Sequence, residues 1–345
     1  MLLKDITALR GPSGWEDEAR NAIRSEAESI LAGREGRVYS DTMGNLYAYR
    51  KGTDEKKPHV MLAAHMDEVG FVVRFANEQG LLKVYSVGGI DPRCAVSKRV
   101  IVGEKAVLGV IGVKAIHLMS EADRKKAPDY EMISIDIGAK DKAEAESLCP
   151  PGCYATFESE YVEFGDGFVK AKALDDRAGC MILLDVLKES DYAGDITCVF
   201  TVQEEVALRG ATVAARKVKP DRAIIIDTTT ANDMGMTDSH KQVTVCGEGP
   251  ALTFMDRRII TDVEVQKEPH MALDGGDDGL DFYRAVSKNF TPALNRGGVL
   301  AFEVGLGQFE DVMSIMESVG YTAVQFRCDL AGIERVVWGT WEPKE

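Results

Sequence analysis

Four short clusters of imidazole and carboxylate side chains set the chemistry open to this 345-residue chain. They are His65, Asp67 and Glu68 in HMDE, Asp175 and Asp176 in ALDDRAG, Glu204 and Glu205 in QEEV, and Asp227 closing AIIID. Each has an ordinary reading by itself. HMDE alone is a turn with a hydrogen-bonded core His, and DDRAG is a helix cap with Asp176–Arg177 as a surface ion pair. Glu204–Glu205 is a solvated strand edge, and Asp227 caps a turn. Their placement argues for more, because three clusters follow apolar strand-like runs and the fourth precedes a helix-like run. In open α/β sheets the ligand crevice lies at the carboxyl ends of the strands, where these groups can converge. Gathered there, the carboxylates repel one another unless a cation balances them. Imidazole with carboxylate suits a divalent ion such as Zn²⁺, Co²⁺ or Mn²⁺. Two such ions need a carboxylate between them and a further, unbound Glu to take a proton from water.

The elements that would position these groups follow from periodicity. WEDEARNAIRSEAESIL has helical spacing, and Ser13 followed by Glu16 has the form of a capping box at its start. VYSDTMGNLYAYR reads as a hairpin turning at Met43–Asn45, and HVMLAAH reads as a buried strand. Between residues 68 and 164 come many short β runs broken by Gly, Asn and Asp, which predicts an inserted β-barrel-like module. Afterwards DDRAGCMILLDVLKES, ITCVFTVQEEV, RGATVAARKV and RAIIID alternate helix and strand. That alternation predicts an α/β fold, a mostly parallel sheet flanked by helices.

Composition narrows the function classes. Lys plus Arg number 41 against 56 Asp plus Glu, a net charge of −15, so nucleic acid and anionic membrane surfaces are poor partners. No run of about 18 apolar residues is present to span a bilayer. The opening MLLKDITALRGPSG lacks the order of a signal peptide. The seven cysteines are scattered and odd in number, which fits reduced thiols and a cytoplasmic location; Cys149 and Cys153 read as two loop thiols.

HMDEVGF at 65–71, ALDDRAG at 173–179, QEEVALRGA at 203–211 and IIIDTT at 224–229, with GPSGWEDEAR near the start, closely resemble the M42 family of co-catalytic metallo-aminopeptidases. The resemblance runs to about residue 260. It implies a catalytic domain in two segments, 1–67 and 165–260, an inserted β domain over 68–164, short peptide substrates and assembly into homo-oligomers. It also implies two divalent metal ions. His65 and Asp227 would hold one, Asp175 would bridge to the second, and Glu205 would bind that second ion. Glu204 would be the general base, and Asp67 would orient His65 from behind. The implied reaction is removal of an N-terminal residue from a peptide by a metal-bound hydroxide.

Over 261–345 the chain resembles something else. EPHMALDGGDDGLDFYRAV, GGVLAFEVGLGQFEDVMSIMESVGY and FRCDLAGIERVVWG are similar to the end of the release-factor glutamine N5-methyltransferase family. The Gly-rich loop and Asn-Pro-Pro-Tyr motif of that family are absent from the sequence, so methyltransferase activity has no support there. The stretch in which the M42 pattern places the second site's His is absent as well. The chain reads as a hybrid, and two functions compete: a metal-dependent aminopeptidase, or a catalytically inert hybrid with a partial metal site. His117, His240 and His270 read as surface or lightly packed imidazoles before replacement ligands.

Overall fold

The computed structural model describes residues 1–114, 117, 120–121, 128–233, 244–247, 249–253, 261, 280–289, 291, 294–304, 307–328 and 334–342. They divide into two compact units, Met1–Thr230 and Ala231–Glu345.

The first unit opens with α1 (Leu3–Ala8) and α2 (Asp17–Leu31), followed by the hairpin β1 (Gly36–Ser40) and β2 (Leu46–Arg50) and by β3 (Val60–His65). The capping box expected at Ser13 and Glu16 is not formed. Helix α2 begins at Asp17 with Glu16 at its N-cap and no side-chain cap, and the Ser13 hydroxyl instead donates to Asp67. The helix begins three residues later than that box requires, so Ser13 lies outside its first turn and its hydroxyl serves the charged, buried Asp67.

Next come β4 (Gly70–Ala76), β5 (Leu82–Val87), α3 (Pro92–Ala95), β6 (Arg99–Val102), β7 (Val107–Val113), β8 (Ile133–Asp136), α4 (Lys142–Leu148) and β9 (Tyr154–Phe157). The six strands close into a barrel in the order β4-β5-β8-β7-β6-β9. Its interior is filled by alternate residues such as Phe71, Val73, Leu82, Val84, Val100, Ile111 and Ile133, the two-residue period of a strand with one buried face.

A small hairpin, β10 (Val162–Phe164) and β11 (Phe168–Lys170), leads back to α5 (Leu174–Glu189), β12 (Ile196–Thr201), α6 (Arg209–Val218) and β13 (Arg222–Ile225). The main sheet has the order β1-β2-β12-β3-β13. Its β12, β3 and β13 run parallel, whereas β1 and β2 are antiparallel to their neighbours. β12 is buried at every position and β3 at all but its first, as expected for strands covered on both faces. One face packs on α1, α2 and α5 through Ile6, Ile23, Leu62, Leu183, Leu187, Phe200 and neighbours. On the other face Tyr47, Met61, Ala63 and Val199 meet Ala214 of α6.

The second unit has α7 (Asp281–Asn289), β14 (Val299–Glu303), α8 (Phe309–Val319), β15 (Tyr321–Cys328) and β16 (Glu334–Trp341). Its strands form an antiparallel sheet ordered β14-β16-β15. Leu280, Val304, Val312, Met316, Tyr321 and Val337 give it a core of its own. No helix among the described residues is long and apolar enough to cross a membrane.

Candidate metal and catalytic site

The parallel strands deliver the acidic clusters to one end of the sheet. β3 ends at His65 and runs into Met66–Glu68, β12 ends at Thr201 just before Gln203–Glu205, and β13 stops two residues before Asp227. Helix α5 approaches from the other side. Its first turn is distorted at Asp175 and Asp176, whose joining peptide is cis. Non-glycine residues at positive φ gather beside the site, at Ala173, Gln203, Ala207 and Leu208, where backbone strain accompanies function in many proteins. Gly210 is obligatory for the return of α6, since a Cβ there would lie 2.3 Å from the Val202 carbonyl and 2.5 Å from Asn45 Oδ1.

His65 is the centre. Its side chain is 3% exposed, and Nε2 lies 3.0 Å from Asp175 Oδ1 and 3.8 Å from Asp227 Oδ1. Nδ1 lies 3.1 Å from the Asp67 carbonyl oxygen and 3.5 Å from Asp67 Oδ1. Asp67 therefore steadies the ring chiefly through its backbone, leaving Nε2 toward the two aspartates. Ligand atoms of His65, Asp176 and Asp227 fall within 4.8 Å of one another, and so do those of His65, Glu204 and Glu205. The structure thus brings together His65, Asp67, Asp175, Glu204, Glu205 and Asp227.

The electrostatics of this cluster are severe. Burial pushes the Asp176 carboxyl up to about 7, and burial with the negative charges of Asp175, Glu204 and Asp67 does the same to Glu205. Burial raises Glu204 and Asp227 as well. Burial disfavours a charged His65, but the Asp175 and Asp67 hydrogen bonds outweigh it and lift the imidazole to about 11. Those bonds hold Asp175 and Asp67 below the usual carboxylate range, against their own burial.

Nearby cations are otherwise engaged. Arg177 is fully buried and donates to the carbonyls of Met66 (2.6 Å) and Ile6 (2.9 Å). Lys172 pairs with Glu68 at 2.8 Å and donates to the Leu9 carbonyl at 2.6 Å. One oriented imidazole among crowded carboxylates, of which Asp176, Glu204, Glu205 and Asp227 resist ionisation, is a donor set fitted to a divalent cation. His65 faces Asp175 and Asp227 in an imidazole-bearing half of the cluster, and Glu204 and Glu205 make up a carboxylate half.

A cavity of about 590 Å³ opens beside these groups, lined by Glu205 and Asp175 and, from the barrel side, by Ile90, Lys98, Phe157 and Lys170 among others. Its other acids are paired. Asp91 binds Arg93, and Arg99 Nε lies 2.6 Å from Glu158 Oε2, close enough for charge pairing though poorly angled for a hydrogen bond. Lys98 has no side-chain partner among the described residues, and Lys170 donates only to the Glu160 carbonyl, at 3.3 Å.

Sequence reasoning missed several contributors. Asp176, read as half of a surface ion pair, is fully buried and accepts from the amides of His65 (3.3 Å) and Gly179 (3.0 Å). Arg177 was legible only as the other half of that pair and Ser13 only as a helix cap, and nothing in the sequence singled out Lys172. His117 is exposed. His240, His270, residues 275–279 and the join near 260 lie outside the described residues.

Comparison with known proteins gives the family. The model of the M42 glutamyl aminopeptidase family matches residues 44–270. A relative in Acetivibrio thermocellus is 38% identical over 267 residues, 77% of this chain and 76% of its own. An aminopeptidase structure from Desulfurococcus kamchatkensis superposes with a TM-score of 0.67 at 35% identity, covering 72% of this chain and 68% of that one. The TET1 peptidase of Pyrococcus horikoshii, which can assemble into a tetrahedron or a large octahedral shell, is 34% identical with a TM-score of 0.58, covering 65% of this chain and 67% of that one. The C-terminal end is similar to the release factor glutamine methyltransferase of Clostridium acetobutylicum, 41% identical over 70 residues, 20% of this chain and 25% of that enzyme. The chain belongs to the M42 peptidase family.

Proposed function

We propose that this protein is a metal-dependent aminopeptidase that removes N-terminal residues from short peptides, with Glu204 as general base. The observation that carries the reading is the convergence of His65, Asp175, Asp227, Glu204 and Glu205 beside a cavity large enough for an amino-acid side chain. In this reading His65, Asp227 and Asp175 would hold one divalent cation and Asp175 with Glu205 a second, with zinc, cobalt or manganese as the ion. The bound cations supply Lewis acidity toward the scissile carbonyl and lower the pKa of water.

The remaining work falls to side chains. Glu204, half buried and with its carboxyl raised, accepts the proton of the attacking water and returns it to the leaving amine. Asp67 fixes the backbone of both glutamates, accepting from the Glu204 amide at 3.0 Å and the Glu205 amide at 3.2 Å. The cavity receives the side chain of the first residue. The TET1 relative's shells support homo-oligomeric assembly, and seven unpaired cysteines accord with a cytoplasmic protein.

A second reading, an inert hybrid, rests on the carboxylate half having no imidazole of its own among the described residues. The test is hydrolysis of aminoacyl p-nitroanilides after chelation and return of Zn²⁺, Co²⁺ or Mn²⁺. Turnover restored by an ion supports the enzyme. No turnover with any ion overturns it in favour of the inert hybrid.

A further inference from the structure

The segment from Gly11 to Glu16, which belongs to no helix or sheet, lies against both glutamate-bearing and His-bearing loops. Pro12 and Glu68 form an isolated parallel bridge. The Gly11 amide donates to Glu68 Oε1 at 3.0 Å, and the Glu68 amide donates to the Gly11 carbonyl at 3.0 Å. This pairing sets Ser13 opposite Asp67, and the Ser13 hydroxyl donates to Asp67 Oδ2 at 2.6 Å. Both side chains are out of solvent. The same Oδ2 accepts from the Glu205 amide, while Oδ1 accepts from the Glu204 amide. Three residues on, the buried Glu16 carboxylate accepts from the Gly14 amide at 2.7 Å and faces the amide of Gln203, which sits at φ 56° immediately before Glu204.

We infer that Ser13 is a positioning residue for the catalytic glutamate, acting through Asp67 to fix the Gln203–Glu205 backbone. Without the hydroxyl, Asp67 Oδ2 keeps one donor instead of two, and its carboxylate can swing away from the Glu204 and Glu205 amides. A base displaced by a fraction of an ångström loses its alignment with the water it must deprotonate. Glu16 supports the same turn from the other side, so the N-terminal segment braces the loop at two points. The inference rests on the aminopeptidase reading for its kinetic consequence but not for its structural one.

The experiment compares Ser13→Ala and Ser13→Thr in the full chain with Zn²⁺ added. In Ser13→Ala, kcat should fall about 10-fold, the low end for loss of an outer hydrogen-bond partner, with KM within about two-fold. Amide exchange in a peptide covering 203–206 should accelerate about 10-fold, while β1 and β2 keep their protection. Ser13→Thr, which keeps the hydroxyl, should restore both to within about three-fold of the parent. Unchanged exchange over 203–206 in Ser13→Ala overturns the inference, and so does equal loss in the Ala and Thr variants. Should Ser13→Ala not fold, Ser13→Cys keeps the volume with a weaker donor and carries the same comparison. A parent without turnover would sink the aminopeptidase reading, whereas the exchange measurement would still decide the brace.

Discussion

Replacing Glu204 by Gln should make the metal-free protein more stable while destroying its activity. The carboxylates of Glu204 and Glu205 lie within 4.8 Å of each other and of His65. Two like charges at that spacing repel by about 3 kcal/mol at an effective dielectric near 20. Glu204 is only partly buried, so solvent screening reduces the net penalty to about 1 kcal/mol. Burial and the charges of Asp227, Asp67 and Asp175 outweigh the attraction of His65, so the folded pKa of Glu204 lies above its ordinary 4.5. The contribution of this carboxyl to stability is therefore fully present below about pH 4.5 and lost as pH rises through the folded value. Gln is neutral throughout. Relative to the parent, Glu204→Gln should thus gain about 1 kcal/mol at pH 8, or about 2–4 °C in Tm, and nothing at pH 4.

Turnover should fall about 10²–10⁴-fold in the same variant, because an amide cannot accept the proton, while bound metal stays. Glu205→Gln should behave differently. Its carboxyl, pushed up to about 7, is relieved in the same direction, but a metal ligand is gone and metal content falls. The assays are thermal melting in EDTA at pH 4 and pH 8, elemental analysis and p-nitroanilide hydrolysis. Equal metal loss in the two variants, or a lowered Tm for Glu204→Gln at pH 8, would refute the division of roles.

Asp175→Ala should empty both metal positions, whereas His65→Ala should mainly affect one; full metal content in Asp175→Ala by elemental analysis would leave Asp175 a helix cap. Calorimetric titration with Zn²⁺ should resolve two unequal sites, the carboxylate half at least about 10-fold weaker than the half holding His65. Affinity in that titration should rise from pH 6 to pH 8, because Glu205, at about 7 without metal, gives up its proton on binding; two equal sites, or affinity flat with pH, would contradict the ligand assignment. With Glu68, Asp91 and Glu158 paired and Lys98 and Lys170 without carboxylate partners among the described residues, the cavity should favour an acidic first residue. Lys98→Ala with Lys170→Ala should then cut kcat/KM for a glutamyl p-nitroanilide about 2–5-fold relative to a leucyl one, and an unchanged ratio would remove the cavity's charge from substrate selection.

The strands that carry the site were legible because their chemistry is local. β3, β12 and β13 are apolar runs that end in His65, Thr201 with the QEEV turn, and the Ile226–Asp227 step, and a strand end is where a parallel sheet exposes side chains to a crevice. The barrel was legible from its rhythm of short runs and glycines. Ser13 was misread because a capping box is a four-residue pattern, whereas its actual partner is 54 residues away. Asp176 and Arg177 were misread because adjacent opposite charges resemble a surface pair, and burial depends on α1 and β3 closing over them. The cavity was invisible for a similar reason: it needs Gly88, where a Cβ would lie 2.8 Å from Val69 and 3.1 Å from Glu205, so that the barrel can approach the sheet end.

The join between the two resemblances falls outside the part of the chain that builds this site. Every residue assigned a role above, from Ser13 to Asp227, belongs to the unit ending at Thr230. That unit buries its own core on both faces of the sheet, and the second unit closes a separate core around Val312, Met316 and Val337. The buried crosslinks of the first unit, Arg177 to the carbonyls of Ile6 and Met66 and Lys172 to Glu68 and Leu9, tie the catalytic strand end to α1 and the N-terminal segment. None reaches past Thr230. The geometry around His65 is therefore fixed by residues that follow the M42 pattern. With the metal assignment proposed above, unequal metal sites rather than a collapsed first site are therefore the expected signature.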